Sequence, residues 1–298
     1  MPGIKIDAGL ANFTSGSSLS ITSGGQVDVS PSGSLFFPTD PFSDFNYNVS
    51  AGKVAGAKTV NKYGSAPNGV QSTLTDIWSR ANASPTQQIW IAPTQARIHT
   101  LTSNSVSDIG SPVGSGARTL RVYGLKTWDL AETSEDIIMN GTGSASTANS
   151  YVIIHRMKVL TSGSTAINVG TIIATAASDA TVTATILPTD GQTEMAIYGV
   201  PSIQTAYLLR WSAALDRASA AVASIAFQLR VNENPNVQLK NFIRKDDIAV
   251  SSVADNRGEH RYAVYPKYPG PCIIKVQAIG STTDLDGESA FDLIIEDN

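Results

Sequence analysis

From about residue 117 almost to residue 298, the chain is a succession of short apolar stretches with strand periodicity. That succession fixes the fold class. The stretches include Tyr151–Leu160 (YVIIHRMKVL), Thr181–Leu187 (TVTATIL), Thr205–Leu215 (TAYLLRWSAAL), Ala223–Asn232 (ASIAFQLRVN), Cys272–Ile279 (CIIKVQAI) and Ser289–Glu296 (SAFDLIIE). Ile225, Phe227, Leu229 and Val231 alternate with polar or small residues, the period of a strand with one buried face. Turn-forming residues separate the stretches at Asn140-Gly141, Ser162-Gly163, Asp190-Gly191, Asn232–Asn236, Asn256–Gly258 and Asp284–Gly287. Strands spaced in this way predict an all-β fold, an antiparallel β-sandwich or jelly-roll-like body over residues 117–298.

Composition narrows the partners. Hydrophobic residues make up 42% of the chain, enough for a buried core. Charged residues make up 15%, against roughly 25% in an average soluble domain. Ser, Thr, Ala and Gly replace them, which suits closely packed assemblies because few charges must be desolvated at a contact. The net charge is −4 and the basic residues are scattered singly. The densest pair, Arg244-Lys245, is followed at once by Asp246-Asp247. A groove for phosphates needs clustered cations, so no nucleic-acid partner is expected. No run of about 18 apolar residues is present, so no membrane partner is expected. The opening MPGIKIDAGLANF has no long apolar leader, and folding in a cytoplasm is expected.

Residues 1–50 differ from the rest. Thr14–Ser34 holds two short alternating pieces, SLSIT and QVDVS, among Gly and Ser. Leu35–Tyr47 (LFFPTDPFSDFNY) then brings Phe36, Phe37, Phe42 and Phe45, half of the chain's eight Phe, with Pro38 and Pro41 arguing against a helix. This reads as an extended N-terminal arm whose Phe anchors bury against the chain's own body or a neighbouring subunit. An ordinary edge hairpin of the body fits the same residues. Residues 51–116 read as a mixed segment packed on the body. Thr73–Ala83 is expected to be a short helix, capped by Ser72 or Thr73, with Asp76 in its first turn and Leu74, Ile77 and Trp78 on one face. QQIWIAP is a short strand ended by Pro93, and Asn104–Gly116 is a loop.

Little in the chain points to chemistry. There is no phosphate loop, no Gly-x-Ser-x-Gly elbow and no His-x-x-x-His pair. His99, His155 and His260 are far apart and read as surface or packing residues, with His155 on the polar face of its strand. The lone Cys272 heads the apolar run CIIKV and reads as a buried small hydrophobe. Asp284-Leu285-Asp286-Gly287-Glu288 has oxygen ligands at alternate positions but lacks the rest of a calcium loop, and a hairpin turn is expected there. Glu132, Glu135 and Asp136 read as a solvated loop before DIIMN. Trp78 and Trp211 read as core residues, and Trp128 is the least constrained tryptophan. No catalytic residue, metal ligand or cofactor is expected, and the chain is not expected to be an enzyme. A carbohydrate-binding or glycan-cleaving sandwich stays open.

Two phrases carry a resemblance: VSAGKVAGAKTVNKYGSAPNG with TLTDIW (within residues 49–78), and DGQTEMAIYGVPSIQTAYLLRW (residues 190–211). They resemble a family of virion structural proteins of tailed bacteriophages from marine and freshwater bacteria, over roughly residues 49–250. The resemblance implies a β-rich particle component with no catalytic residues. In the second phrase, TEMAIYGV and TAYLLRW read as one hairpin turned at Pro201-Ser202. In the first, small residues allow close backbone approach, and Lys53, Lys58 and Lys62 either meet acidic patches on a shell protein or are solvated. The expected role is a homotrimeric capsid cement or decoration protein, in the virion, bound to the major capsid protein or other virion proteins. A tail or head fibre or collar protein is the alternative.

Overall fold

A computed structural model describes residues 45–82, 87–217 and 222–298. A short helix, α1 (Phe45–Ser50), comes first. Seventeen strands follow among the described residues: β1 (Ala57–Val70), β2 (Thr75–Asp76), β3 (His99–Ser103), β4 (Ala117–Leu125), β5 (Thr133–Ile138), β6 (Ala145–Ser146), β7 (Ile153–Ser162), β8 (Ile172–Ala176) and β9 (Thr181–Ile186). The remainder are β10 (Ile197–Val200), β11 (Gln204–Arg217), β12 (Ser224–Asn232), β13 (Ile243–Ser251), β14 (Arg257–Arg261), β15 (Lys267–Pro269), β16 (Cys272–Gly280) and β17 (Leu285–Asp297). The protein is all-β, with a sandwich-like body of antiparallel sheets.

Two sheets are the larger. One runs β1-β17-β11-β14, with β15 also paired to β11. The other runs β10-β16-β12-β13, with β2 paired to β16. They pack face to face. A Cβ on Gly287 would touch the Phe227 ring at 3.3 Å, and one on Gly258 would meet Ile248 at 2.4 Å. Two smaller sheets, β6-β3-β8-β9 and β5-β4-β7, extend the body. β10 meets β7 where Gly199 approaches Ile153.

The alternation read in SIAFQLRV is realised: Ile225, Phe227, Leu229 and Val231 are all buried in β12. β16 is buried along almost its whole length, which is why CIIKVQAI reads as a continuous run. Cys272 is buried there, and burial pushes its thiol up to about 12, far from a reactive thiolate. Trp78, Trp90 and Trp211 are core residues, and each fully buried large apolar side chain stabilises by about 1.5–3 kcal/mol.

Several expectations are corrected. Phe45, read as part of an extended arm, starts α1, because the prolines that bar a helix lie upstream of it. In Thr73–Ala83 the short strand β2 and a 3-10 turn at Ser79–Asn82 replace the expected helix. Asp76, placed by sequence in a helical first turn, is fully buried against Lys275, 199 residues away, and this long-range pairing overrides the local helix signals. The phrase around Pro201 is no hairpin: β10 pairs with β16 and β11 with β17, so Pro201-Ser202 carries the chain from one large sheet to the other. Asp284 likewise lies between strands of different sheets, so that segment is not a hairpin turn.

Candidate functional site

The densest polar cluster lies between β1 and the β4–β7 pair. On β1, alternation puts Lys58, Val60, Lys62, Gly64 and Ala66 on the inward face, with Thr59, Asn61 and Tyr63 outward. Opposite them are Tyr123, Glu132, His155 and Tyr198, and together with Lys58 and Lys62 these groups line a cleft of about 190 Å³. Glu132 is its hub. The Glu132 carboxylate accepts from His155 Nε2 at 2.9 Å and from the Tyr198 hydroxyl at 3.2 Å, and Lys58 Nζ stands 3.9 Å away. The His155 and Tyr198 rings stack with centroids 4.5 Å apart.

Burial pushes the Glu132 carboxyl up, but His155, Lys58 and Tyr198 outweigh it and hold it at about 2. Burial dominates for His155 and lowers it, so the ring is neutral at neutral pH and donates its Nε2 proton to Glu132. Lys62 donates to the His155 carbonyl and is lowered to about 7, first by burial and then by Arg156. His155 was read from sequence as a polar-face residue. It is only 2% exposed, because Ile153, Ile154 and His155 are all enclosed.

A second hub lies on β13. Asp246 Oδ2 accepts from Trp211 Nε1 at 2.9 Å, from His260 Nδ1 at 2.7 Å and from the Tyr262 hydroxyl. Burial pushes this carboxyl up, and the three donors bring it down to about 2. The third imidazole, His99, is fully buried and lowered to about 4 by burial, with Nδ1 at 3.0 Å from the Arg97 carbonyl.

The carboxylates weighed from sequence have structural partners. Glu135 and Asp136 lie on β5 instead of a solvated loop. Glu135 accepts from the Ala148 backbone at 2.9 Å, and Asp136 takes two bonds from Arg121 at 2.6 and 2.8 Å. Asp284 accepts from Gln71 at 3.1 Å and Asp286 from the Asn68 backbone, so both tie down the end of β1. Among the described residues, no group of three or more His, Cys, Asp or Glu side chains is placed to hold a metal ion. No helix among them is long and apolar enough to cross a membrane.

Of the interface residues read from sequence, Phe36, Phe37 and Phe42 lie outside the described residues. Phe45 is 56% exposed at the start of α1. Lys53 sits 5.1 Å over the Tyr47 ring. Lys58 is part-exposed, while Lys62 is buried and engaged within its own chain. Its inward position was legible, since it shares a face with Gly64 and Ala66. Next to α1, Asn46 lines a hollow with Leu209, Tyr262 and Tyr265. Phe45, Tyr47, Val264 and Tyr265 are all exposed apolar groups flanking these residues in sequence.

No protein-family model matches the chain, and no curated protein matches it. Among solved structures, the crystal structure of the infectious bursal disease virus VP2 subviral particle aligns with 81% of this chain and 72% of its own. The identity is 9% and the TM-score 0.20. A likeness of that size carries no argument about fold or function.

Proposed function

We propose that this chain is a structural protein of a bacteriophage virion, and within that class a capsid cement or decoration protein. The observation that carries the reading is the exposure of Phe45, 56%, where the Phe-rich N-terminal segment joins the body. An aromatic anchor left uncovered by its own body is available to a neighbour, and each Phe buried in that way adds roughly 1.5–3 kcal/mol. Symmetry repeats the gain in every copy of the assembly. The internal charges agree with a mechanical role. Glu132, Asp246 and Lys62 are engaged in holding strands together, and His99, His155 and Cys272 are buried. The favoured assembly is a homotrimer sitting over a junction between shell subunits, with no catalysis.

The test is a chain lacking residues 1–44, together with the full-length Phe45→Ser variant. Analytical ultracentrifugation and co-sedimentation with purified heads would be the readouts. A folded body that no longer assembles or binds heads supports the reading. A truncated chain that still does both refutes it. Gold-antibody labelling of particles separates the locations: label over the head fits cement, and label at the tail or neck fits a fibre or collar protein.

A glycan-binding reading is favoured by one observation. A shallow groove of about 390 Å³ on the outer face of the β1-β17-β11 sheet sets Tyr63 beside Arg257, Glu259 and Glu288. An aromatic with flanking carboxylates suits a sugar ring. Glycan-array binding abolished by Tyr63→Ala would establish it.

A further inference from the structure

Lys275 and Asp76 meet on neighbouring strands of one sheet. Asp76 ends β2, and its register partner on β16 is Gln277, two residues from Lys275. Lys275 Nζ lies 2.8 Å from Asp76 Oδ2, with the two side chains 2% and 0% exposed. The Phe242 ring covers the amine, its centroid 4.0 Å from Nζ. The same Oδ2 accepts the Trp90 backbone N–H at 2.7 Å. Oδ1 is buried and has no hydrogen-bond partner among the described residues.

An ordinary ion pair fits this place poorly. Taking two charges out of water is repaid only when the remaining lone pairs and protons are met. Here one carboxylate oxygen lacks a well-formed hydrogen bond, with the Gln277 side chain the other polar group acting on the carboxyl, and a buried polar atom so placed calls for an explanation. Burial pushes the Asp76 carboxyl up and the Lys275 amine down, and the attraction between them offsets only part of each change. Burial therefore favours the neutral acid and the neutral amine over their charged forms. Those are the forms in which an amine lone pair attacks a carboxyl carbon.

We propose that Lys275 and Asp76 condense into an intramolecular isopeptide bond once the chain has folded. Nζ attacks Cγ of Asp76, and Oδ2 takes up the developing charge against the Trp90 N–H, a fixed donor in a water-poor site. On collapse the Cγ–Oδ1 bond breaks. Oδ1 leaves with two hydrogens, counted over the amine and the acid, as one water. Nothing is oxidised or reduced, and no co-reactant is needed. The product is a neutral amide whose carbonyl oxygen keeps the Trp90 bond. The orphaned oxygen and both buried charges are gone. The link joins two strands whose residues lie 199 positions apart in sequence. Lys62 is the internal comparison: it too is buried, but its amine donates to the His155 backbone carbonyl and not to a carboxyl group.

Tryptic mapping of the full-length wild-type protein decides the matter. Lys62, Arg80 and Lys267 bound the relevant peptides, and Lys275 is the only trypsin site after Lys267. The expected product is Tyr63–Arg80 joined to Tyr268–Asn298, uncut at Lys275 and lighter than the sum of the two by one water. Intact mass would agree, with the wild type one water below its sequence mass and Lys275→Met equal to its own. Recovery of Tyr63–Arg80 and Tyr268–Lys275 as separate, unmodified peptides overturns the proposal. The wild-type digest suffices even if Lys275→Met does not fold.

Discussion

Asp108 and Gly116 fit together with no room for a side chain between them: a Cβ on Gly116 would stand 2.1 Å from Asp108 Oδ1. The closeness lets that carboxylate organise a loop. Asp108 accepts from the backbone N–H groups of Ala117, Val169 and Gly170 at 2.8–2.9 Å and from the Ser103 hydroxyl at 2.6 Å. Removing it leaves several donors unmet in a buried place. Asp108→Ala is expected to lower stability by about 3–5 kcal/mol, read by urea denaturation. Asp108→Asn, which keeps the shape but replaces an acceptor with a donor, should recover little of the loss.

Gly64 marks where β1 lies against the second large sheet. A Cβ there would come within 2.3 Å of the Ala196 backbone nitrogen and 2.6 Å of the Ile77 carbonyl oxygen. Both are backbone atoms and cannot swing aside. Gly64→Ala should therefore cost several kcal/mol, on the order of the 1–3 kcal/mol of ordinary overpacking or above it. Ser65→Ala, one position along, should be nearly silent in the same thermal melt.

His99 makes stability depend on pH. Its ring takes a proton near 6.5 when unfolded but only at about 4 when folded, because burial disfavours the cation. Between these values the unfolded chain binds more protons, so stability falls as pH drops from 6.5 toward 4. The loss from this residue approaches about 3 kcal/mol. His155 is shifted in the same direction. Denaturant titrations across the window should show a shallower slope for His99→Gln than for the wild type.

Lys62 acts at the other end of the scale. The folded amine loses its proton at about 7 and the unfolded one at 10.5. Between those values the unfolded state again holds the extra proton, so stability rises with pH. A neutral, well-packed replacement lacks this penalty. Lys62→Met should gain most relative to wild type near about pH 6, with the advantage shrinking by roughly 3–5 kcal/mol toward pH 10. An advantage that does not change with pH would place the buried charge elsewhere.

What sequence conveyed, and what it withheld, follows from range. Period-two alternation is local, so β12, β16 and β17 were legible from a few residues each. Sheet membership is not local. TEMAIYGV and TAYLLRW look like a hairpin until β16 and β17, some 70–90 residues on, claim one strand each. Asp76 looked like a helix-start residue because its true partner, Lys275, is distant in sequence. His155 broke the alternation rule because β7 is enclosed on both faces at that point. Lys62 was legible in principle, since a lysine on the same strand face as Gly64 and Ala66 has nowhere to go but inward. The hubs at Glu132 and Asp246 carry no local signature at all; each gathers donors from separate strands.

Among the described residues, β1 has β17 as its only strand partner in the sheet, in a register running from Ala57 opposite Glu296 to Val70 opposite Leu285. On a ribosome adding ~5–20 residues per second, the partner emerges on the order of ten to forty seconds after β1 is complete. Through that interval the 14-residue strand lacks the partner with which it forms the sheet. The yield of folded protein in a crowded host is then a race, set by whatever shields β1 while the chain is being made.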